Sequence, residues 1–291
     1  MESATKRVDM VPAKRRAIIL EHLRANGAAS VQELADATGG SQSTARRDLE
    51  YLMEKGYLER THGGAHLVQP ARATFERENS LNAQLQRAEK LAIGREAASR
   101  LSAGHSVILD SSSTVMEAVR AAAERDLPLT IVTNSLEIAD FAADIRSWRT
   151  IMPGGSIRAG YRHLAGEPGE SFIRTLHADL CLMGASAVTG TLLTEASLEV
   201  ASLKRAMIAS AGRKILLVDS SKFTSPSFCT LCEVSEIDEI ITDDAVADEA
   251  LAPLRAAEKP VTAVPVQRAE GRPFRRAGGV LGQAIASQTF R

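Results

Sequence analysis

The stretch VQELADATGGSQSTARRDLEYLMEKGYLERTHGGAHLV, residues 31–68, decides the fold of the N-terminal part of the chain. It predicts two short helices separated by a turn at Gly39-Gly40, followed by a hairpin that contains Gly63-Gly64. A further helix is expected to begin at Pro12, because the fixed φ of proline suits a first helical turn. Three helices and a hairpin in this order are typical of a winged helix-turn-helix.

The ends of these helices carry recognisable capping residues. Ser30, with Glu33 three residues later, forms a capping-box pattern that predicts the start of the second helix. Ser41 can cap the third helix in the same way. The third helix has an apolar stripe at spacings of four and three, which predicts a buried face. This stripe consists of Ala45, Leu49 and Leu52.

A winged helix-turn-helix places one helix in the DNA major groove, where amide, guanidinium and hydroxyl groups read base edges and bind phosphates. A basic cluster near the first helix favours DNA; it comprises Lys6, Arg7, Lys14, Arg15 and Arg16. Paired arginines on a helix are also common on solvated faces, and the chain carries a net charge of −1, so charge alone does not indicate DNA. The predicted DNA-binding residues are Ser41, Gln42, Ser43, Thr44, Arg46, Arg47, Arg60, His62, Gly63 and Gly64.

The chain has 291 residues, enough for a second domain after the DNA-binding one. No apolar stretch approaches the roughly 20 residues that span a bilayer, and the charged N-terminus lacks a signal-peptide core, so we expect a cytoplasmic protein. The odd number of cysteines predicts reduced thiols. Cys229 and Cys232 form one CxxC pair without a clear fourth ligand, so we expect neither a metal nor a cofactor.

Beyond a polar segment at 71–92, short apolar runs alternate with helix-length segments. This pattern predicts an α/β domain with a mostly parallel sheet covered on both faces. The runs lie at 107–109, 129–132, 150–152, 180–183, 215–218, 240–242 and 261–264. We therefore expect four segments in the chain: a winged helix-turn-helix at 10–70, a linker at 71–92, an α/β domain at 93–266 and a flexible basic tail at 267–291.

Hydroxyl, glycine and charged residues follow several of the predicted strands. In an open α/β sheet, ligands bind beyond the carboxyl ends of the strands, and a helix N-terminus there suits an anion. Each cluster alone is explained by ordinary caps and turns, but several together predict one pocket for a phosphate and sugar hydroxyls. The predicted ligand-binding residues are Asp110, Ser111, Ser112, Ser113, Thr114, Thr133, Asn134, Gly154, Gly155, Arg158, Glu195, Lys204, Asp219 and Lys222.

The segments SQSTARRDL at 41–49 and GYLERTHGGA at 56–65 resemble the helix-turn-helix and wing of the DeoR-type family of bacterial transcriptional regulators. The resemblance extends over about residues 10–265. It includes segments similar to the linker and sensor motifs of that family, namely EKLAI at 89–93, LDSSST at 109–114, TNS at 133–135, GG at 154–155 and VDSSKF at 218–223.

The resemblance implies a sensor domain with the fold of ribose-5-phosphate isomerases and CoA transferases. It also implies a repressor of a sugar or polyol catabolic operon that a phosphorylated sugar releases from its operator. Because specific operators are usually read by symmetric assemblies, we expect a homo-oligomer, either a dimer or a tetramer. An isomerase or deaminase fused to a DNA-binding domain is the alternative. The related isomerases carry an acidic pair where this chain has Gly184, Ala185 and Ser186, although Glu195 and Lys204 are near in sequence. An architectural DNA-binding protein without a ligand would leave the strand-end clusters unexplained.

Overall fold

A computed structural model describes residues 11–61, 63–67 and 79–267 of the chain. The helices of this part are α1 (Pro12–Asn26), α2 (Val31–Thr38), α3 (Gln42–Glu54), α4 (Asn79–Gln84), α5 (Arg87–Ala98), α6 (Ser113–Ala123), α7 (Leu136–Ala143), α8 (Gly169–Ile173), α9 (Leu198–Ala209) and α10 (Asp248–Ala256). The predicted starts at Pro12 and after Ser30 and Ser41 are confirmed.

The strands of the N-terminal part are β1 (Ala28–Ser30), β2 (Leu58–Thr61) and β3 (Gly64–Leu67). The strands that follow are β4 (Ser106–Leu109), β5 (Leu129–Thr133), β6 (Trp148–Ile151), β7 (Ser156–Ile157), β8 (Leu164–Ala165), β9 (Ala178–Met183), β10 (Ala187–Thr189), β11 (Leu192–Glu195), β12 (Ala211–Leu217), β13 (Cys229–Glu233), β14 (Glu239–Asp243) and β15 (Val261–Val264).

The first domain is a winged helix-turn-helix. The side chain of Ser30 accepts a hydrogen bond from the backbone N–H of Glu33, and Glu33 accepts one from the N–H of Ser30, so the predicted capping box is present. Strands β2 and β3 form the wing, and β1 extends it in the order β1-β3-β2. The apolar stripe of α3 is buried against α1 and the wing, as the spacing predicts.

The second domain is built on a parallel sheet of seven strands in the order β15-β14-β12-β9-β4-β5-β6. All seven apolar runs of the sequence lie in or overlap its strands. Successive residues of one strand pack on opposite faces: Leu180 and Leu182 of β9 contact the cluster under α5, α6 and α7. Cys181 and Met183 contact the cluster under α9 and α10. The sheet is therefore buried on both faces, and the predicted fold class is confirmed.

Two small antiparallel sheets lie outside the central one, and the sequence analysis did not predict them. Strands β10, β11 and β13 form one, and β7 pairs with β8 in the other. The peptide bond between Glu167 and Pro168, after β8, is cis.

The described part of the segment between the two domains contains α4 and the start of α5. Leu81 of α4 and Leu85, the residue directly after that helix, are buried in the hydrophobic cluster of the winged domain. Helix α5 instead packs on α6 and on β14 of the second domain. It runs without a break from Arg87 to Ala98, so the predicted boundary between residues 92 and 93 falls inside it.

Some predicted features lie outside the described residues: Lys6, Arg7, His62 and the tail from residue 268 onward. Within the described part, none of the helices has the length and apolar character needed to cross a lipid bilayer.

Candidate DNA-binding surface and ligand cavity

Helix α3 presents a polar face to solvent. Its N-cap Ser41 accepts a hydrogen bond from the N–H of Thr44 at 3.2 Å. The stripe that faces the core fixes the rotation of the helix, so most of the residues predicted to read DNA point outward. Gln42, Ser43, Arg46 and Arg47 are exposed, and Thr44 is half-buried.

Asp48 lies on the inner side of α3 and holds α1 against it. Its carboxylate is buried and pairs with the guanidinium groups of both Arg15 and Arg16; the distance from Arg16 Nε to Asp48 Oδ1 is 3.0 Å. Arg16 also stacks on the ring of Tyr51, 3.4 Å from its centroid. Arg15 and Arg16 of the basic cluster therefore join α1 to α3.

The glycines of the wing are required by its close packing and by its turn. A Cβ at Gly64 would lie 2.1 Å from the carbonyl oxygen of Ala29, so only glycine allows β3 to pair with β1 here. Gly63 has a φ of 92°, a conformation that favours glycine. Arg60, on β2, donates to Glu50 of α3 at 3.2 Å, which places it beside the exposed face of that helix.

A cavity of about 540 Å³ lies at the carboxyl edge of the parallel sheet. After β4 the chain adds β5 and β6 on one side, and later places β9 on the other side of β4. The loops after β4 and β9 therefore diverge, and ligands bind at this switch point in open α/β sheets. Residues 111–114 line the cavity from the first loop and residues 184–186 from the second.

A buried charge cluster forms the floor of the cavity. The Nζ of Lys204, on α9, lies 3.0 Å from Asp110 Oδ2 and 2.6 Å from Glu195 Oε1. Asp110 also accepts hydrogen bonds from the N–H groups of Ser112 and Gly184, both at 2.8 Å, so it joins the two loops of the switch point. Of these residues, Lys204 and Glu195 line the cavity, and Asp110 lies behind the lining.

The surroundings of this cluster favour the charged forms of both Asp110 and Lys204. Burial alone would raise the pKa of Asp110, but the ammonium of Lys204 and the two backbone N–H groups outweigh it and lower that pKa. Burial alone would lower the pKa of Lys204, but Asp110 and Glu195 outweigh it and raise that pKa. Lys204 and Glu195 are therefore held in mutual contacts, which does not suit either one to act as a base on a substrate.

The wall of the cavity offers groups that bind anions. Helix α6 begins there, and its cap Ser112 accepts a hydrogen bond from the N–H of Val115. The cap of α9, Ser197, lines the cavity too, together with Lys222 after β12. Lys222 and Lys90 lower the pKa of Asp219 against the effect of its burial. Two helix N-termini and a lysine thus face one space.

Two polar atoms of the lining are buried without a hydrogen-bond partner among the described residues. They are Oγ of Ser221 and Oδ1 of Asn82. Buried polar groups in folded proteins almost always have a hydrogen-bond partner. Two such atoms without one in the same cavity therefore favour a polar ligand there.

The remaining predicted ligand residues lie outside the lining and shape the loops around it. The side chain of Thr133 accepts from the N–H of Ser135, and Asn134 donates to the carbonyl of Leu164 on β8. Gly154 and Gly155 have positive φ; Gly155 lies against the backbone of Ala165 in β8, and Gly154 lies against Pro168. Arg158 lies over the ring of Tyr161, 3.8 Å from its centroid, and Tyr161 lines the cavity.

The part of the lining that comes from the first domain and the linker was not predicted from the sequence. These residues are Leu20, Glu21, Arg24, Tyr57, Leu67, Asn82, Leu85 and Lys90. No local pattern could have identified them, because their role depends on how the winged domain sits on the sheet. The buried Lys90 donates to the carbonyl of Asn82.

The three cysteines are free thiols, and Cys181 and Cys232 are buried. Burial raises the pKa of Cys232 to about 12, and the thiol of Cys229 donates to the carbonyl of Glu195 at 3.3 Å. Across the described ranges, no group of three or more His, Cys, Asp or Glu side chains could hold a metal ion.

Comparisons with known proteins match both halves of the chain. The family model of the DeoR-like helix-turn-helix domain matches residues 15–71, and that of the DeoR C terminal sensor domain matches residues 85–244. The chain is 33% identical over 236 residues to the HTH-type transcriptional repressor GlcR of Bacillus subtilis (strain 168), covering 80% of this chain and 89% of that protein. It is 34% identical over 235 residues to the L-fucose operon activator of Haemophilus influenzae, covering 79% and 92%.

Among solved structures, the ribose 5-phosphate isomerase of Methanocaldococcus jannaschii aligns with a TM-score of 0.35 and 18% identity, over 46% of this chain and 53% of that one. The matched families and the curated relatives are regulators rather than enzymes, so the alternative of a sugar-phosphate isomerase is not favoured. The chain belongs to the DeoR family of DNA-binding transcriptional regulators.

Proposed function

We propose that this regulator represses a sugar or polyol catabolic operon and leaves its operator when a phosphorylated sugar or polyol binds the cavity. The observation that carries this proposal is the convergence of Lys222 and the N-termini of α6 and α9 on one space. Backbone N–H groups and an ammonium bind phosphate, and the unpaired atoms of Ser221 and Asn82 suit sugar hydroxyls. The name of the relative GlcR, a repressor, favours repression.

The predicted ligand residues take three roles in this proposal. Ser111, Ser112, Ser113, Thr114 and Lys222 contact the ligand directly, because they line the wall. Glu195 and Lys204 form the floor of the cavity, and Asp110, outside the lining, holds Lys204 in place through their ion pair. The others hold the loops in place; they are Thr133, Asn134, Gly154, Gly155, Arg158 and Asp219.

DNA is bound in this proposal by the exposed side chains of α3 and by the wing. Gln42, Arg46 and Arg47 reach base edges or phosphates, and Arg60 contacts the backbone beside them. We retain the predicted division into a DNA-binding domain at 10–70, a linker at 71–92 and a sensor domain at 93–266. Within it, α4 of the linker packs on the DNA-binding domain, and α5 continues from the linker into the sensor domain. It works as a homo-oligomer, since specific operators are usually read by symmetric assemblies.

A thermal-shift screen of the full chain tests the ligand. The panel contains triose, pentose and hexose phosphates, polyol phosphates and inorganic phosphate, each with its unphosphorylated counterpart as a control. A ligand that binds only the folded protein raises Tm by mass action. We expect at least one phosphorylated compound to raise Tm while its unphosphorylated counterpart does not. Equal shifts within each pair, or none at all, would exclude a phosphate-binding cavity.

A further inference from the structure

The cavity is closed on one side by the DNA-binding domain. Leu20, Glu21 and Arg24 lie on successive turns of α1, and all three line it. Tyr57 and Leu67 of the wing complete this side. A ligand bound at the switch point of the sheet therefore occupies a space that both domains enclose.

Helix α4 belongs to the winged domain by its packing. Leu81 and Leu85 are buried in the same hydrophobic cluster as Leu20 and Leu23 of α1. Asn82 lies between them in sequence and lines the cavity, where its Nδ2 donates to Ser113 Oγ at 3.4 Å. Its Oδ1 is one of the two unpaired buried atoms. The winged domain thus carries an available acceptor into the cavity.

Helix α1 is attached to the segment that precedes α5. The Oε1 of Glu21 accepts a hydrogen bond from the N–H of Gln86 at 3.1 Å. Burial raises the pKa of Glu21, and the hydrogen bond from Gln86 and the charges of Arg24 and Lys90 partly oppose this rise. Arg24 is the cation that α1 brings to the cavity.

We infer that the DNA-binding domain itself binds the ligand: Arg24 of α1 contacts its phosphate and Asn82 of α4 contacts a sugar hydroxyl. The inference rests on the proposed phosphorylated ligand and deepens it. It makes the position of the winged domain depend directly on the ligand, since the ligand bonds to that domain and to the sheet at once. A ligand with different contacts in the two arrangements shifts the equilibrium between them.

The test is isothermal titration calorimetry on the full chain, with the phosphorylated compound that raises wild-type Tm most as the probe. The variants are Arg24→Gln, which removes the charge, and Asn82→Ala, which removes the acceptor. Arg95→Gln is the matched control, because Arg95 is exposed on α5 and does not line the cavity. Arg24→Lys and Asn82→Ser keep the charge and an acceptor, respectively.

We expect Kd to rise about fivefold or more in Arg24→Gln and in Asn82→Ala, as loss of a single hydrogen bond to a polar or charged ligand predicts. Arg95→Gln should bind like the wild type, and the two conservative variants should recover part of the affinity. If both Arg24→Gln and Asn82→Ala stay within about twofold of a binding wild type, the inference is overturned and the proposed function stands. A wild type that binds no phosphorylated compound overturns both. Arg24 is exposed, so its variants keep the test decisive even if Asn82→Ala fails to fold.

Discussion

At the scale of single residues, Asp48 shows how the sequence specifies the position of the third helix. One buried carboxylate pairs with two arginines of α1, and its neighbours Arg46 and Arg47 are exposed. The two arginines of α1 are therefore paired with Asp48, whereas those of α3 are exposed on the face that we propose binds DNA. A string of basic residues in a sequence cannot separate these roles, because they depend on which side of each helix meets the core.

Arg46→Ala and Arg47→Ala should each weaken operator binding. Loss of an arginine that reads a base costs about 1–3 kcal/mol, and loss of one that binds phosphate also reduces the salt dependence of binding. Fluorescence anisotropy with a duplex selected by the protein from a random library, at two salt concentrations, measures both effects. Arg95→Ala is the control for loss of an exposed arginine. Wild-type affinity in both α3 variants at physiological salt would contradict the assignment of α3 as the reading helix.

Lys204→Met should reduce the free energy of unfolding by about 3–5 kcal/mol at neutral pH. The substitution leaves Asp110 and Glu195 buried without their cation, and an unpaired buried charge is costly. Urea unfolding of the wild type and the variant measures the difference. Arg95→Met, on an exposed surface, should change it little.

The pH dependence of that difference has a definite sign. In the wild type the pKa of Asp110 is lowered from 3.8, so its contribution to stability is present above that value and is lost as the pH falls through the folded pKa. In Lys204→Met, burial raises the pKa of Asp110. Protonation of Asp110 then removes the unpaired buried charge that destabilises the variant. The gap between the two proteins should therefore narrow as the pH falls from 8 toward 5. A gap that is constant over this range would mean that the loss is one of packing only.

At the scale of elements, the sequence predicted the central sheet better than its surroundings. A parallel strand buried on both faces reads as an uninterrupted apolar run, so all seven runs corresponded to strands. Strands β10, β11 and β13 are antiparallel and at most five residues long. Strands β11 and β13 pack on α9, a contact between distant parts of the chain that no local apolar run indicates.

The candidate ligand residues divide in the same way. Residues 111–114 line the cavity because a cap at a strand end must lie at the carboxyl edge of the sheet. Thr133 and Asn134 follow the neighbouring strand with the same residue types, yet their side chains bind backbone groups. The sequence predicts the edge of the sheet on which a loop lies, but the direction of each side chain depends on local contacts. Asn134 bonds to β8, whereas Thr133 bonds to the backbone of its own loop.

Gly64→Ala tests the attachment of the wing. The new methyl group would lie 2.1 Å from the carbonyl oxygen of Ala29, so β3 must move away from β1. We expect a loss of about 1–3 kcal/mol in the free energy of unfolding, together with weaker operator binding. Gly212→Ala is the control, since its nearest neighbour would be 3.4 Å away. The two measurements are urea unfolding and anisotropy, and equal effects of the two substitutions would contradict the tight β1–β3 approach.

At the scale of the whole molecule, the two domains meet around the cavity. Arg24 and Lys222 are far apart in sequence and line the same space. Sequence patterns describe each domain separately, so the shared cavity could not be predicted from them. Because both domains line the cavity, a ligand bound there would contact the DNA-binding domain as well as the sensor domain.

The assembly of the full chain is a further expectation at this scale. A winged domain buries little DNA surface by itself, and symmetric operators are read by two half-site contacts. Multi-angle light scattering at micromolar concentration should therefore give a mass that is a multiple of 31.1 kDa, as a dimer or tetramer. A monomer both with and without operator DNA would contradict this expectation.

The central claim is that occupation of the cavity releases DNA, and the most direct measurement is the affinity of the full chain for its selected duplex with and without the phosphorylated ligand. We predict that the ligand weakens DNA binding of the wild type by about 5- to 150-fold, the usual range for coupled sites. Lys222→Ala should bind the same duplex as the wild type does and should not be released at the same ligand concentration, because Lys222 lines the cavity and lies outside the DNA-binding domain. An unchanged DNA affinity in the presence of every phosphorylated compound that binds, or a normal release of Lys222→Ala, would contradict the account.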